Sequence, residues 1–242
     1  SLTVPADREY NGQQAEATYT GSLKTTDPVR ISYATAEGQP LNDAPVDAGS
    51  YTACLHAGGK QVEDTFTISP RTVTVTAAAC GKTYGDADPE LTYAAEGLLN
   101  DDSLTGELKR VAGENVGTYA IEQNTLSADK NYTISFTGAE LTIHAKPITE
   151  ADVQLNGSLT YTGSEQTQAV TVDDGITYEI TGNKATAAGS YELTVTGTGN
   201  FSGTVTRTFT IGKAAAAAVA PTAKELTYTG LAQNLVTAGT TN

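Results

Sequence analysis

Three short phrases recur along this chain in one fixed order, and no other feature constrains its fold as tightly. The opening phrase is YNG at 10–12, YGD at 84–86, YTG at 161–163 and YTG at 228–230, so Tyr10, Tyr84, Tyr161 and Tyr228 recur at a near-constant interval. The middle phrase is DAGSY at 47–51, NVGTY at 115–119 and AAGSY at 187–191, which sets Gly49, Gly117 and Gly189 on much the same period. The closing phrase is FTIS at 66–69, LTIH at 141–144 and FTIG at 209–212. Markers in constant order at a near-constant period mean that one structural unit has been copied along the chain. The units span 1–70, 71–146 and 147–212, with a partial fourth at 213–242. KPITEADVQLNGSLTYTG (146–163) and KAAAAAVAPTAKELTYTG (213–230) have equal length and matching ends; on that alignment the fourth unit stops halfway and the first begins late. Both ends read as cuts in a longer array.

Within each unit the apolar residues alternate with polar ones, the signature of half-buried strands. Val73 and Val75 alternate with threonines, as do Phe66 and Ile68, Leu141 and Ile143, and Phe209 and Ile211. After the middle glycine the pattern continues through Tyr51, Ala53 and Leu55, through Tyr119 and Ile121, and through Tyr191, Leu193 and Val195. Threonines number about 40, nearly as many as the charged residues. They suit a wet sheet face, because β-branching favours extended backbone while the hydroxyl meets water. Clusters such as GGK, DADPE, LNDDS and TGN punctuate the runs as turns. The expectation is an all-β fold with little helix: a tandem array of small antiparallel β modules. Each is an immunoglobulin-like sandwich, or alternatively a β-grasp-like sheet. At most one helical turn is expected, near Leu98–Leu104. The five alanines of Ala214–Ala218 favour helix by propensity, yet their counterpart in the third unit is ITEAD and Pro221 bounds them, so extended chain is expected there. The junctions SPR (69–71), HAKP (144–147) and GKA (212–214) are too short to act as flexible tethers.

The net charge of −14 sets the partners. A polyanion is repelled by nucleic acid and by anionic membrane, and no apolar run approaches the ~20 residues that span a bilayer. The charge suits solubility and mutual repulsion among crowded molecules. With two Cys and two His there is little material for metal or nucleophile chemistry.

Each candidate for chemistry has a plainer reading beside it. GKT at 81–83 resembles part of a phosphate loop, but position 76 is Thr where such a loop needs glycine, so the segment reads as a turn. DAGSYTAC at 47–54 suggests a tyrosine corner, an inward Tyr whose hydroxyl caps backbone; Cys54 falls three residues after Tyr51 and so faces outward. Cys54 and Cys80 are either bridged between adjacent modules or free thiols, with free thiols as the simpler case. His56 and His144 have no repeating acid or nucleophile beside them and read as surface histidines. Asp86, Asp88, Asp101 and Asp102, and separately Asp173 and Asp174, offer oxygens to Ca²⁺ without the spacing of a calcium loop, and read as solvated turns. Among 28 acids some pair will fall at a glycosidase distance by chance, but the modules are too small to wall off a cleft and contain no Trp. Tyrosines recur at equivalent sites, which marks them as scaffold; Tyr19 and Tyr132 are the less constrained ones. Of nine lysines none sits in an apolar run with a matching acid, so a Lys–Asn/Asp isopeptide bond is not expected. No catalytic, cofactor-binding or metal residue is assigned.

The second unit carries a further signal. Its string YGDADP…LTY…AGENVGTY…NYTI.F.GA.LTI, within residues 82–147, resembles the YGD-type repeat of bacterial cell-surface proteins, the MBG-type domain. The first and third units resemble related immunoglobulin-like surface repeats more loosely. The resemblance implies an extracellular protein, bacterial and secreted or held at the cell surface, whose repeats form stalks or adhesive arrays, and it carries over no catalytic residue and no cofactor. The resulting expectation is a non-enzymatic structural or adhesive segment acting as stalk or spacer. The alternative is a carbohydrate- or host-protein-binding module, with host glycan or protein as its partner. No nucleic-acid partner and no membrane insertion are expected. A monomer is expected, with edge-strand contact through the partial fourth repeat as the association open to it.

Overall fold

Alternation places the apolar side of every long strand against a core. In the strand Arg71–Ala77, Val73 and Val75 are fully buried while the threonines between them are exposed. Phe66 and Ile68, Leu141 and Ile143, and Phe209 and Ile211 are buried in the same manner. The structure, a computed structural model, describes residues 1–21, 28–99, 101–216, 220–233 and 236–237. Among them it is almost entirely β, as the composition implies.

One strand order appears in every repeat. In the first, an opening strand Arg8–Glu9 neighbours the closing strand Lys60–Ser69, which neighbours the corner strand Gly49–Ala57, which neighbours the outer strand Arg30–Thr35. In the second the same positions are taken by Cys80–Thr83, Ala139–His144, Gly117–Glu122 and Lys109–Arg110. In the third they are taken by Leu159–Thr160, Thr204–Gly212, Gly189–Gly197 and Tyr178–Thr181. Corner and closing strands are antiparallel, with Tyr51 opposite Phe66, Tyr119 opposite Leu141 and Tyr191 opposite Phe209.

Pairing is not antiparallel throughout, however. Opening and closing strands run parallel in all three repeats, with Arg8 opposite Ile68, Lys82 opposite Ile143 and Leu159 opposite Ile211. The pairing joins the two ends of a repeat, a long-range contact that local alternation does not encode. A second parallel ladder joins Arg71–Thr76 to Tyr132–Thr137, and a short one joins Lys146–Pro147 to Phe201–Ser202.

The second and third repeats are two-layer sandwiches. In the third, Val153 from one small sheet and Leu193, Val195 and Phe209 from the four-stranded sheet share one apolar cluster. The first repeat instead turns from corner to closing strand through Gly58–Gly59, both at positive φ (57° and 73°), between the paired Ala57 and Lys60. Two left-handed residues are what a tight two-residue hairpin requires.

Contacts divide the chain into two compact units, Ser1–His144 and Ala145–Asn242. Within the first, one apolar cluster runs from Tyr10, Leu55 and Ile68 of the first repeat to Val73, Val75 and Tyr132 of the second. The helical turn expected near Leu98–Leu104 is absent among the described residues there, Asn100 lying outside them; a 3₁₀ turn forms at Glu150–Asp152. There the Asp152 carboxylate accepts from the backbone N–H (2.6 Å) and hydroxyl (2.8 Å) of Thr149, closing the turn locally. Of the alanine run, Ala214–Ala216 are not helical, and 217–219 lie outside the described residues.

Candidate functional site

The devices that recur are backbone devices. The Tyr51 hydroxyl donates to the Asp47 carbonyl (2.8 Å), Tyr119 to Asn115 (2.7 Å) and Tyr191 to Ala187 (2.8 Å), so the tyrosine corner read from the middle phrase exists three times. Tyr51 and Tyr191 stack against the closing phenylalanines Phe66 and Phe209 at 5.8 and 5.5 Å. Glycine is needed before one corner: a Cβ on Gly113 would lie 2.1 Å from the Tyr119 ring. At the other end of each repeat the opening tyrosine donates its N–H to the residue that ends the closing strand: Tyr10 to Ser69, Tyr84 to His144 and Tyr161 to Gly212, each at 2.8 Å.

A seam joins the first two repeats inside the Ser1–His144 unit. Asn131, buried, accepts from the N–H of Ala48 at 2.7 Å and donates to the Asp47 carboxylate at 3.2 Å. Lys130 pairs with the other Asp47 oxygen at 2.9 Å, and that bond holds the carboxyl below its ordinary range. Tyr10 and Tyr132 meet edge to face, ring centres 5.4 Å apart at 84°. The Tyr132 hydroxyl donates to Asp102 (2.5 Å) and accepts from the N–H of Leu99 (3.0 Å). Burial, and then the bond to Asp102, push its pKa up to about 12. Across the same seam Thr72 donates its N–H to Glu9 (3.1 Å). Tyr132, which lacks a counterpart among the recurring tyrosines, is thus a seam residue; Tyr19 is 46% exposed.

The second repeat also holds an ionic cluster. Lys82 faces inward from the opening strand, its side chain 4% exposed, with Asp88 at 2.7 Å and Glu114 at 2.6 Å. Arg110 bridges the same acids at 2.6 and 2.5 Å and lies over the Tyr119 ring, 5.4 Å from its centre. Hydrogen bonds from Arg110 and then Lys82 pull the Asp88 carboxyl down to about 2, and those from Lys82 and then Arg110 hold Glu114 low. Bonds to Asp88 and Glu114 raise the Lys82 ammonium in turn. Lys82 stands in no apolar run, and its acids come from other segments, Asp88 from beyond the turn that follows and Glu114 from the loop before the corner strand. Amide formation would need a neutral amine and an un-ionised carboxyl; this cluster holds both partners charged.

The other sequence candidates fall as follows. GKT belongs to the strand Cys80–Thr83, not to a turn, and the turn comes after it. Cys54 and Cys80 are free thiols, both pushed upward by burial first; Cys54 lies opposite Glu63 on the outward face. His56 Nε2 is 2.8 Å from the Ser32 hydroxyl and Nδ1 is 3.1 Å from the Gln61 amide. His144 ends a closing strand with its side chain exposed. Of the acids, Asp88 is drawn into the ionic cluster, Asp86 gives its carbonyl to Lys82 (3.1 Å), Asp102 holds Tyr132, and Asp101 takes a positive φ of 62°. The Asp173 N–H donates to the backbone carbonyl of Asp152 (3.0 Å). Among the described residues no three His, Cys, Asp or Glu side chains gather as a metal site would require, and no helix is long and apolar enough to cross a membrane. Recurrence did not make every opening tyrosine a core residue: Tyr10 is 5% exposed, Tyr161 43% and Tyr228 95%.

Residues 73–142 match the MBG domain of YGX type, and residues 151–215 match the MBG domain. No curated protein matches the chain in sequence. Among solved structures, an I-band fragment of titin is similar with a TM-score of 0.28 at 11% identity, covering 88% of this chain and 97% of that one. Extracellular domains 3–5 of Drosophila OTK are similar with a TM-score of 0.26 at 10% identity, covering 88% and 96%.

Proposed function

We infer, from the premise that residues 73–142 and 151–215 are tandem MBG-type domains, that this chain is a structural segment of an extracellular or cell-surface protein. Domains of this type are structural modules, and we read this one as a spacer or stalk, non-enzymatic, on the surface of a bacterium. The repeat boundaries at 1–70, 71–146 and 147–212, with a partial repeat at 213–242, are part of this reading. The observation that carries it is the copying of one strand order, one parallel closure and one tyrosine corner through three repeats. Selection for a single binding or catalytic centre needs one elaborated site; selection for reach needs equivalent copies. The seam at Asn131 and Tyr132 supports the reading further, because a stalk needs joints that resist bending.

The test is a scattering series on chains carrying two, three and four repeats in tandem. A spacer lengthens by a constant increment with each copy. A largest dimension that does not grow with copy number removes the reading.

One observation favours a binding module instead. The second repeat has a surface cavity of about 410 Å³ lined by Glu90, Leu91, Tyr93 and Glu107, and Tyr93 is not one of the recurring tyrosines. Binding to a glycan array or to mucin that is lost in Tyr93→Ala would favour this module over the spacer.

A further inference from the structure

We propose that each repeat is a clamp against tension along the chain, and that the second repeat is a stronger clamp than the third. This deepens the spacer reading and rests on it. The geometry is the parallel pairing of opening and closing strands. A pull along the chain drags the opening strand by its N-terminal end and the closing strand by its C-terminal end. In a parallel pair those ends lie at opposite ends of the ladder. The load then runs along the strands, and every interstrand hydrogen bond bears it together. An antiparallel pair loaded through such ends would open one bond at a time.

The repeats differ in how much ladder lies in that path. The second pairs Cys80–Thr83 with Leu141–His144 over four residues. It adds a parallel ladder of six, Arg71–Thr76 with Tyr132–Thr137. The third has two residues in each corresponding ladder, Leu159 and Thr160 with Ile211 and Gly212, and Lys146 and Pro147 with Phe201 and Ser202. The first has two, Arg8 and Glu9 with Ile68 and Ser69. Only the second pins its opening strand with ion pairs as well, through Lys82 to Asp88 and Glu114, among the described residues. Forced unfolding is governed by the barrier to leaving the native state, so ladder in the load path sets the force.

The test is single-molecule pulling of the whole chain through its termini, with an insertion of about 20 glycines, roughly 70 Å of extended chain, at the exposed turn Gly157–Ser158 to label the third repeat by its longer release. The labelled release is expected before the final, highest-force release; a labelled release that comes last and highest overturns the proposal. A second geometry keeps the test independent of any weakened variant. In a Cys54→Ser, Cys80→Ser background, handles at Thr83→Cys and His144→Cys hold the same end of the paired strands and peel them apart. The rupture force is expected to fall several-fold below that of terminal pulling. Equal forces in the two geometries overturn the clamp. A clamp that holds in a chain whose length does not grow with copy number leaves this proposal standing without the spacer; a chain that lengthens but peels and shears alike does the reverse.

Discussion

The second and third repeats place different chemistry at one equivalent position. Two residues before the opening tyrosine, the second has Lys82 and the third has Leu159, and each lies opposite the buried isoleucine of its closing strand, Ile143 or Ile211. Lys82 needs two carboxylates and the Asp86 carbonyl around it; Leu159 packs at the edge of an apolar cluster. The strand order is nonetheless the same. The comparison teaches that the repeat is specified by its backbone bonds and buried alternation, and that this inward position tolerates either solution. A buried charge fits only with its partners in place, so the two solutions differ in how they fail.

Substitutions in the shared core should have the largest effect and treat the repeats alike. Leu141→Ala and Leu193→Ala, both at fully buried sites, should each cost about 2–5 kcal/mol by denaturant titration. A large loss in one with none in the other would break the equivalence. At the seam, Asn131→Ala leaves the half-buried N–H of Ala48 without its partner and should cost about 1 kcal/mol, read in the unfolding of the Ser1–His144 unit.

Lys82→Ala sharpens the contrast. It leaves Asp88 and Glu114 facing Arg110 alone, so the melting temperature should drop by more than for Leu159→Ala at the equivalent site. Equal drops would mean that the cluster acts only as filler. Acid should separate the repeats in the same direction. The folded-state pKa of Asp88 is depressed from 3.8 to about 2, chiefly by Arg110. Its contribution is therefore present above its ordinary value and is lost as pH falls from about 4 toward about 2. In the third repeat Asp152 is held low by Thr149 with no cation among the described residues paired to it as Arg110 is to Asp88, so this repeat should lose less over that window in a pH series of thermal melts. Smallest are the corners: Tyr119→Phe and Tyr191→Phe should each cost about 0.5–1.5 kcal/mol by the same titration, because each removes one hydroxyl bond to a carbonyl.

The sequence made local periodicity legible and hid distance. Buried Val73 and Val75 follow from alternation, and the corner at Tyr51 follows from the glycine phrase before it. The parallel pairing of Arg8 with Ile68 leaves no local trace, since the partners stand at opposite ends of the first repeat. Lys82 lies in GKT, which reads as a turn by its sequence, and only the register opposite Ile143 turns it inward. The exposure of Tyr161 was hidden for a related reason. Tyr10 is covered by Tyr132 of the next repeat, so a recurring phrase has a different environment wherever its covering residue differs.

The central claim is that one closure, parallel and in fixed register, is copied through the chain. Amide hydrogen exchange resolved by residue tests it at three points, the N–H groups of Tyr10, Tyr84 and Tyr161, each donated to the end of a closing strand. All three should be protected well beyond the exposed turn amides of their own repeats. Exchange at the rate of those turns at any one of them would contradict the copied closure.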